Sequence, residues 1–124
     1  MAIFINLSNH PLRDWQRNQV EEAMKYGMPI IDMEFPNINP INDEADVERV
    51  VQEYYDKICI MSPAAVMVQG EFSFCFQLVS RLMEKGIKCV TACSNRESLE
   101  TLMPDGSVKK QSFFSFVKFR EYQK

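Results

Sequence analysis

The chain has 124 residues, 46% of them hydrophobic, and a formal net charge of −3. That is the length of one domain, able to bury about two thirds of its unfolded surface, and it is too apolar for a disordered chain. The acidic balance supplies no global basic field for long nucleic acid, and no apolar run approaches the roughly 20 residues that span a bilayer. The four cysteines, Cys59, Cys75, Cys89 and Cys93, form no CxxC pair. Met1-Ala2-Ile3-Phe4 enters an apolar run with no basic segment before it, so no signal peptide is expected. Free, buried thiols in a cytoplasmic protein are the expectation.

The pattern then reads in chain order as alternating strands and helices. Ala2 to Leu7 is an apolar first strand, and Ser8-Asn9-His10-Pro11 a turn. A first helix follows to about Tyr26, with Asp14 as N-cap, Trp15, Gln19, Val20, Ala23 and Met24 at helical spacing, and Gly27 as its stop. Pro29 to Phe35 is a second strand whose Asp32 and Glu34 alternate with apolar residues, as suits a strand near the sheet edge. After a stiff loop from Pro36 to Asp43, a second helix runs from Glu44 to Ile60. Its stripe is Val47, Val50, Val51, Tyr54, Tyr55 and Ile58, and Glu44 and Asp46 suit its first turn. Ala64 to Val68 is a fully apolar third strand that stops at Gln69-Gly70 and restarts as a third helix, from Glu71 to Lys85, ending at Gly86. A fourth strand, Ile87 to Cys93, leads to Ser94-Asn95-Arg96. Residues 97–122 form a terminal β-hairpin with arms Ser98 to Met103 and Val108 to Glu121 around Pro104-Asp105-Gly106. Phenylalanines on both faces of the second arm suggest burial on both sides, under a helix or in a dimer contact.

Three βα units with right-handed crossovers define one α/β domain over residues 1–124. It is expected to be a Rossmann-like three-layer sandwich with a mostly parallel sheet of central order 2-1-3-4, the hairpin extending the strand-four side. The switch point then falls between strands one and three, where ligands bind in open α/β sheets. The turn at Ser8 to Pro11 and the segment Gln69-Gly70-Glu71-Phe72-Ser73 meet there, with Ser94-Asn95-Arg96 alongside. Gly70 permits a tight turn.

GxGxxG and GxxxxGK[ST] are both absent, which argues against a standard dinucleotide or P-loop site. His10 is the only histidine and lies in the switch-point turn. Imidazole is the side chain that exchanges protons near neutral pH, although a loop histidine can equally cap a helix. Glu71 opens the third helix, where an acid commonly does no more than satisfy the helix dipole. Ser8, Asn9, Gln69, Ser73, Ser94 and Asn95 could hydrogen-bond a base, ribose or phosphate, and the same residue types serve caps and turns. Arg96 has the donor fork for a phosphate, and Phe72 a ring that could stack on a base or fill a core. Asp32, Glu34 and Asp43 have no metal-ligand spacing, His10 has no second ligand nearby, and no metal or cofactor is expected.

Phe-Ile-Asn-Leu-Ser-Asn-His-Pro at strand one, Val-Gln-Gly-Glu-Phe at strand three and Ala-Cys-Ser-Asn-Arg after strand four resemble the small stand-alone CARF-like, CRISPR-associated proteins, some of which are ring nucleases. The likeness covers most of the chain in topology and three loops in motif. It implies a homodimer that holds a cyclic oligoadenylate over the carboxyl ends of the strands. In the ring nucleases, a ribose 2′-hydroxyl then attacks the adjacent phosphate without metal and leaves 2′,3′-cyclic phosphate ends. Asn9 and His10 match the family's strand-one loop, and Gln69, Gly70 and Glu71 its ligand loop. His10 would then orient or protonate the leaving oxygen, and Arg96 with the N–H groups at Gly70 and Glu71 would stabilise charge on the phosphorus. No full catalytic pattern of that family is reproduced here.

Two other functions fit the same residues. One is a hydrolase or transferase acting on a nucleoside or nucleotide through Glu71, with a second carboxylate as partner. The other is a non-catalytic interaction module whose contact surface is the hairpin, around Phe114 and Phe116.

Overall fold

Phe4–Ser8 (β1) and Ala65–Val68 (β3) are buried along their whole length, as continuous apolar runs require of strands covered on both faces. Both pair in parallel, and β1 also pairs in parallel with Ile30–Glu34 (β2) on its other side. The structure, a computed structural model, describes residues 2–124. Its remaining elements are a 3₁₀ turn at Leu12–Asp14, the helices Arg17–Tyr26 (α1), Glu44–Met61 (α2) and Phe72–Glu84 (α3), and the strands Lys88–Leu102 (β4) and Val108–Glu121 (β5).

The sheet has the order β2-β1-β3-β4-β5. It is α/β, parallel from β2 to β4 and antiparallel between β4 and β5. The expected arrangement differs at the hairpin side. Strand four and the first hairpin arm are one continuous strand of 15 residues, so the hairpin adds one strand rather than two. Ser94-Asn95-Arg96 is therefore not a loop. A bulge between Cys93 and Ser94 takes the place of the expected break. There Cys93 pairs with Lys118 and Ser94 with Phe116, leaving Val117 as the extra residue. An extra residue shifts the side-chain alternation, so Phe116 and Phe119 are both buried on one face of the sheet. The hairpin phenylalanines are thus not buried on two sides, and Phe113 and Phe114 remain exposed.

The helices cover both faces. Ile5, Leu7, Val66, Val68 and Cys89 meet Val47, Val51 and Ile58 of α2 and Phe74, Leu78 and Leu82 of α3. On the opposite face Phe4, Ala65, Met67, Val90, Phe116 and Phe119 pack with Ala23 of α1, Trp15 and Tyr26. Cys75 and Cys89 are buried, and burial raises their thiols to about 11 and about 12 respectively.

Local chemistry explains the boundaries. Asp43 and Asp46 form a reciprocal capping box at the start of α2. Gly86 has φ +84 and ends α3, and Gly106 has φ +87 in the hairpin turn. The first helix begins later than expected. Asp14 lies in the 3₁₀ turn, Trp15 is extended, and Gln16 occupies the N-cap position without capping. Its side chain is committed elsewhere, donating to Phe114 O at 2.8 Å and accepting from Phe116 N at 3.0 Å. Gly27 is extended rather than left-handed. It is needed for close approach, because a Cβ there would lie 2.9 Å from Ile3 O.

Candidate functional site

A polar residue inside a buried strand requires partners, and Asn6 and Ser8 are the buried polar residues of the core. The Ser8 hydroxyl donates to Asn6 Oδ1 at 2.7 Å. Asn6 Nδ2 donates to Asp32 Oδ1 at 2.9 Å and to the His10 carbonyl at 2.8 Å. Asp32 accepts in turn from Leu12 N at 3.0 Å. The indole of Trp15 donates to the same His10 carbonyl at 2.9 Å, and His10 N donates to Ser8 Oγ at 3.2 Å. The turn after β1 is therefore tied to β1, β2 and Trp15 through its backbone, and the His10 imidazole takes no part in that network.

On one side of this turn His10 lines a cleft of about 420 Å³ with Trp15, Gln19, Gln69, Ser94 and Phe114. Met67 and Ala92 form part of its wall. It opens at the carboxyl ends of β1 and β3, the position expected of a switch-point site. Gln69 is held there by its oxygen, which accepts from Thr91 Oγ1 and from Ala92 N, both at 2.9 Å. Its amide N–H groups have no partner among the described residues. The cleft combines hydrogen-bond donors with the aromatic side chains of Trp15, Phe114 and Phe116. Asp14 is the charged residue on its wall, and among the described residues no lysine or arginine lines it. Its chemistry suits a flat, polar, largely uncharged group such as a base or ribose better than a bare phosphate.

The candidate residues are not all brought together. Ser8 and Asn9 lie on the other side of the turn, along a more open depression of about 600 Å³ with Asp32, Glu34 and Arg13. Gly70, Glu71, Phe72 and Ser73 lead into α3 and line neither space. Glu71 is the N-cap of α3. Its carboxylate accepts from Ser73 Oγ at 2.6 Å, Ser73 N at 2.9 Å and Phe74 N at 2.8 Å. The Ser73 hydroxyl, with the helix N–H groups, holds its carboxyl below the usual range, which removes it as a proton donor at neutral pH. Gly70 has no left-handed backbone. It makes room for the Phe35 ring, since a Cβ there would come to 2.7 Å from Phe35 Cε1. Phe72 is 90% exposed. Asn95 and Arg96 stand on the projecting part of β4. Arg96 pairs across from Phe114 and shares the Ser94 face, with Ser112 Oγ 3.5 Å from its guanidinium.

Trp15, Gln19 and Phe114 were legible in the sequence only as stripe and hairpin residues. Asn6, a polar residue between Ile5 and Leu7, is the feature of the sequence that could have pointed to the network. Among the described residues, no three or more His, Cys, Asp or Glu side chains are grouped to hold a metal ion, and no helix is long and apolar enough to cross a membrane.

Fold and cleft together define a mixed α/β sandwich with a cleft at the carboxyl edge of its sheet. Over residues 2–120 the sequence matches the Uncharacterized protein MJ1673 family, and the chain belongs to that family. No curated protein and no solved structure matches it.

Proposed function

We propose that this Rossmann-like protein binds an adenine nucleotide unit of a cyclic oligoadenylate in the cleft beside His10, as its likeness to the CARF-like proteins implies. The observation that carries the reading is the convergence of His10, Trp15 and the oxygen-anchored Gln69 at the carboxyl ends of β1 and β3. Trp15 and Phe114 offer faces for a base. The Gln69 amide and Ser94 hydroxyl offer donors for a ribose or base edge.

At about 420 Å³ the cleft is near the lower end of the range of small-molecule pockets, roughly 300–1,000 Å³. It takes one nucleotide, not a ring. A cyclic ligand with two-fold symmetry would therefore need a second copy of the chain, which is why the reading carries a homodimer. Arg96 would serve a phosphate leaving the cleft along β4. His10 would orient or protonate the leaving 5′-oxygen if a 2′-hydroxyl attacks the phosphorus, so the reading extends to a ring nuclease. Glu71 has no place in that step, because its carboxylate caps α3. The same reading places the protein in the cytoplasm, in antiviral defence.

The test is purified protein mixed with radiolabelled cyclic tetra-adenylate in EDTA, beside His10→Ala and Gln69→Ala. Binding at 100 times Kd should stabilise the protein by about 2.7 kcal/mol, a rise in Tm of several degrees, and Gln69→Ala should reduce it. Linear products with cyclic phosphate ends, lost in His10→Ala, would establish cleavage. An intact ligand with a raised Tm would leave a binding protein. No shift with cyclic tri-, tetra- or hexa-adenylate would overturn the reading.

A further inference from the structure

Beyond Val90, β4 leaves the sheet. Its pairing with β3 covers Lys88, Cys89 and Val90 only, whereas its pairing with β5 continues to Leu102. Residues 94–102 and 108–114 therefore form a two-stranded ribbon, about 30 Å long at roughly 3.4 Å per residue, and every one of them is exposed. Isolated two-stranded ribbons are marginally stable in water, and free strand edges recruit further strands.

The two edges of this ribbon differ. Near the body, the outer edge of β5 is closed by α1. Gln16 bonds Phe114 O and Phe116 N, and Asn18 donates to Phe116 O at 3.0 Å. Among the described residues no such cover lies along β4 beyond Ala92, whose N–H is taken by Gln69.

Those same bonds fix which groups of β4 face outward. Because the peptide groups of Phe114 and Phe116 point away from β4, their partners Arg96 and Ser94 point away from β5. By alternation so do Ser98, Glu100 and Leu102. The free edge of β4 thus presents the N–H and C=O groups of Ser94, Arg96, Ser98, Glu100 and Leu102.

We propose that this edge pairs antiparallel with the same edge of a second copy, about a two-fold axis at Ser98. Outward-facing residues must meet outward-facing residues, which limits the register to steps of two. Centring on Ser98 sets Arg96 against Glu100 of the second copy, and by symmetry Glu100 against its Arg96. Glu100 already lies 3.6 Å from Lys110 across its own ribbon, so each copy would contribute to a chain of alternating charge, Lys110–Glu100–Arg96. The strand is self-complementary in charge at this register, as an isologous interface requires. Leu102, 75% exposed at the ribbon tip, would come opposite Ser94 of the other copy, at the rim of the cleft. The occupant is a second copy rather than a foreign strand because the match is made by this strand's own sequence. The pairing is inferred from the ribbon and does not rest on the nucleotide reading.

Sedimentation velocity over a concentration series, without ligand, tests it with three variants. Wild type should be dimeric. Ser98→Pro removes an N–H that no intrachain ladder bond uses, so it should give a monomer of unchanged circular dichroism. Arg96→Glu should weaken the dimer about tenfold or more, through two symmetric pairs made repulsive. Arg96→Glu with Glu100→Arg should restore it. A monomeric wild type, or a dimer indifferent to both Ser98→Pro and Arg96→Glu, would overturn the interface, and failure of the double variant to recover would overturn the register. Ligand-induced melting of wild type beside Gln69→Ala, a residue off the ribbon, reports separately on the cleft.

Discussion

Residues 88–92 and 94–102 belong to one strand, β4, yet they live in different surroundings. The first segment pairs with β3 at residues 88–90 and with β5 from Val90 onward and buries Cys89 and Val90, while the second pairs with β5 alone and is exposed throughout. Backbone pairing to β5 runs from Val90 to Leu102, interrupted only by the bulge at Cys93/Ser94. What separates them is burial. Hydrogen bonds to a partner strand exchange for hydrogen bonds to water at little net gain, whereas apolar area removed from water is the main favourable contribution to folding. The body holds itself together, and the ribbon depends on cross-strand pairs and on whatever meets its free edge.

The largest expected effect lies in the body. Phe74 is fully buried, with Phe35 and Tyr54 edge-on at ring-centroid distances of 5.2 and 5.5 Å. Phe74→Ala should cost about 3–5 kcal/mol in denaturant unfolding. Leu99→Ser on the ribbon should change the monomer's stability by no more than about 0.5 kcal/mol. Equal losses at low protein concentration would dissolve the distinction between the two regions.

Asn6→Ala sharpens the comparison by testing a polar contribution within the body. It removes the donor to Asp32 and to the His10 carbonyl and the acceptor for Ser8, and should cost about 1–3 kcal/mol. Faster amide exchange confined to the turn at residues 8–12 would mark the network as its organiser. An unchanged exchange rate there would show that Trp15, Ser8 and Asp32 hold the turn without Asn6.

Smaller still is the cap of α3. Glu71→Ala should cost about 1 kcal/mol near neutral pH, read as a lower Tm. The folded carboxyl lies below its usual value because Ser73 and the helix N–H groups hold the charged form. Its contribution is therefore complete above the unfolded carboxyl pKa of about 4.3, and it is lost as pH falls through the lower folded value. The Tm difference between wild type and variant should narrow over that acidic window. A difference that stays constant with pH would mean that the charge is not what stabilises the cap.

Much of the fold was legible in order and type. Periodicity and burial agree for the stripe of α2, where Val47, Val51 and Ile58 are buried, and for β1 and β3, buried at every position. The candidate site was legible in part. His10, Gln69 and Ser94 share the cleft, while Ser8 and Asn9 fall on the other side of the turn and Glu71 is spent on its own helix. Local sequence cannot separate these, because the end of a strand says that a residue is near the sheet edge but not on which side of the next loop its side chain falls.

By itself the sequence determined the alternation of strands and helices, the edge character of β2, the helix stop at Gly86 and the hairpin turn at Gly106, because each depends on periodicity or backbone sterics within a few residues. Tertiary structure alone decided the rest. Gln16 serves β5 rather than α1, because Phe114 and Phe116 lie a hundred residues away in sequence and beside it in space. A bulge at Cys93/Ser94 joins two expected strands into one and brings Phe116 and Phe119 to the same face, because register is settled by what the strand packs against.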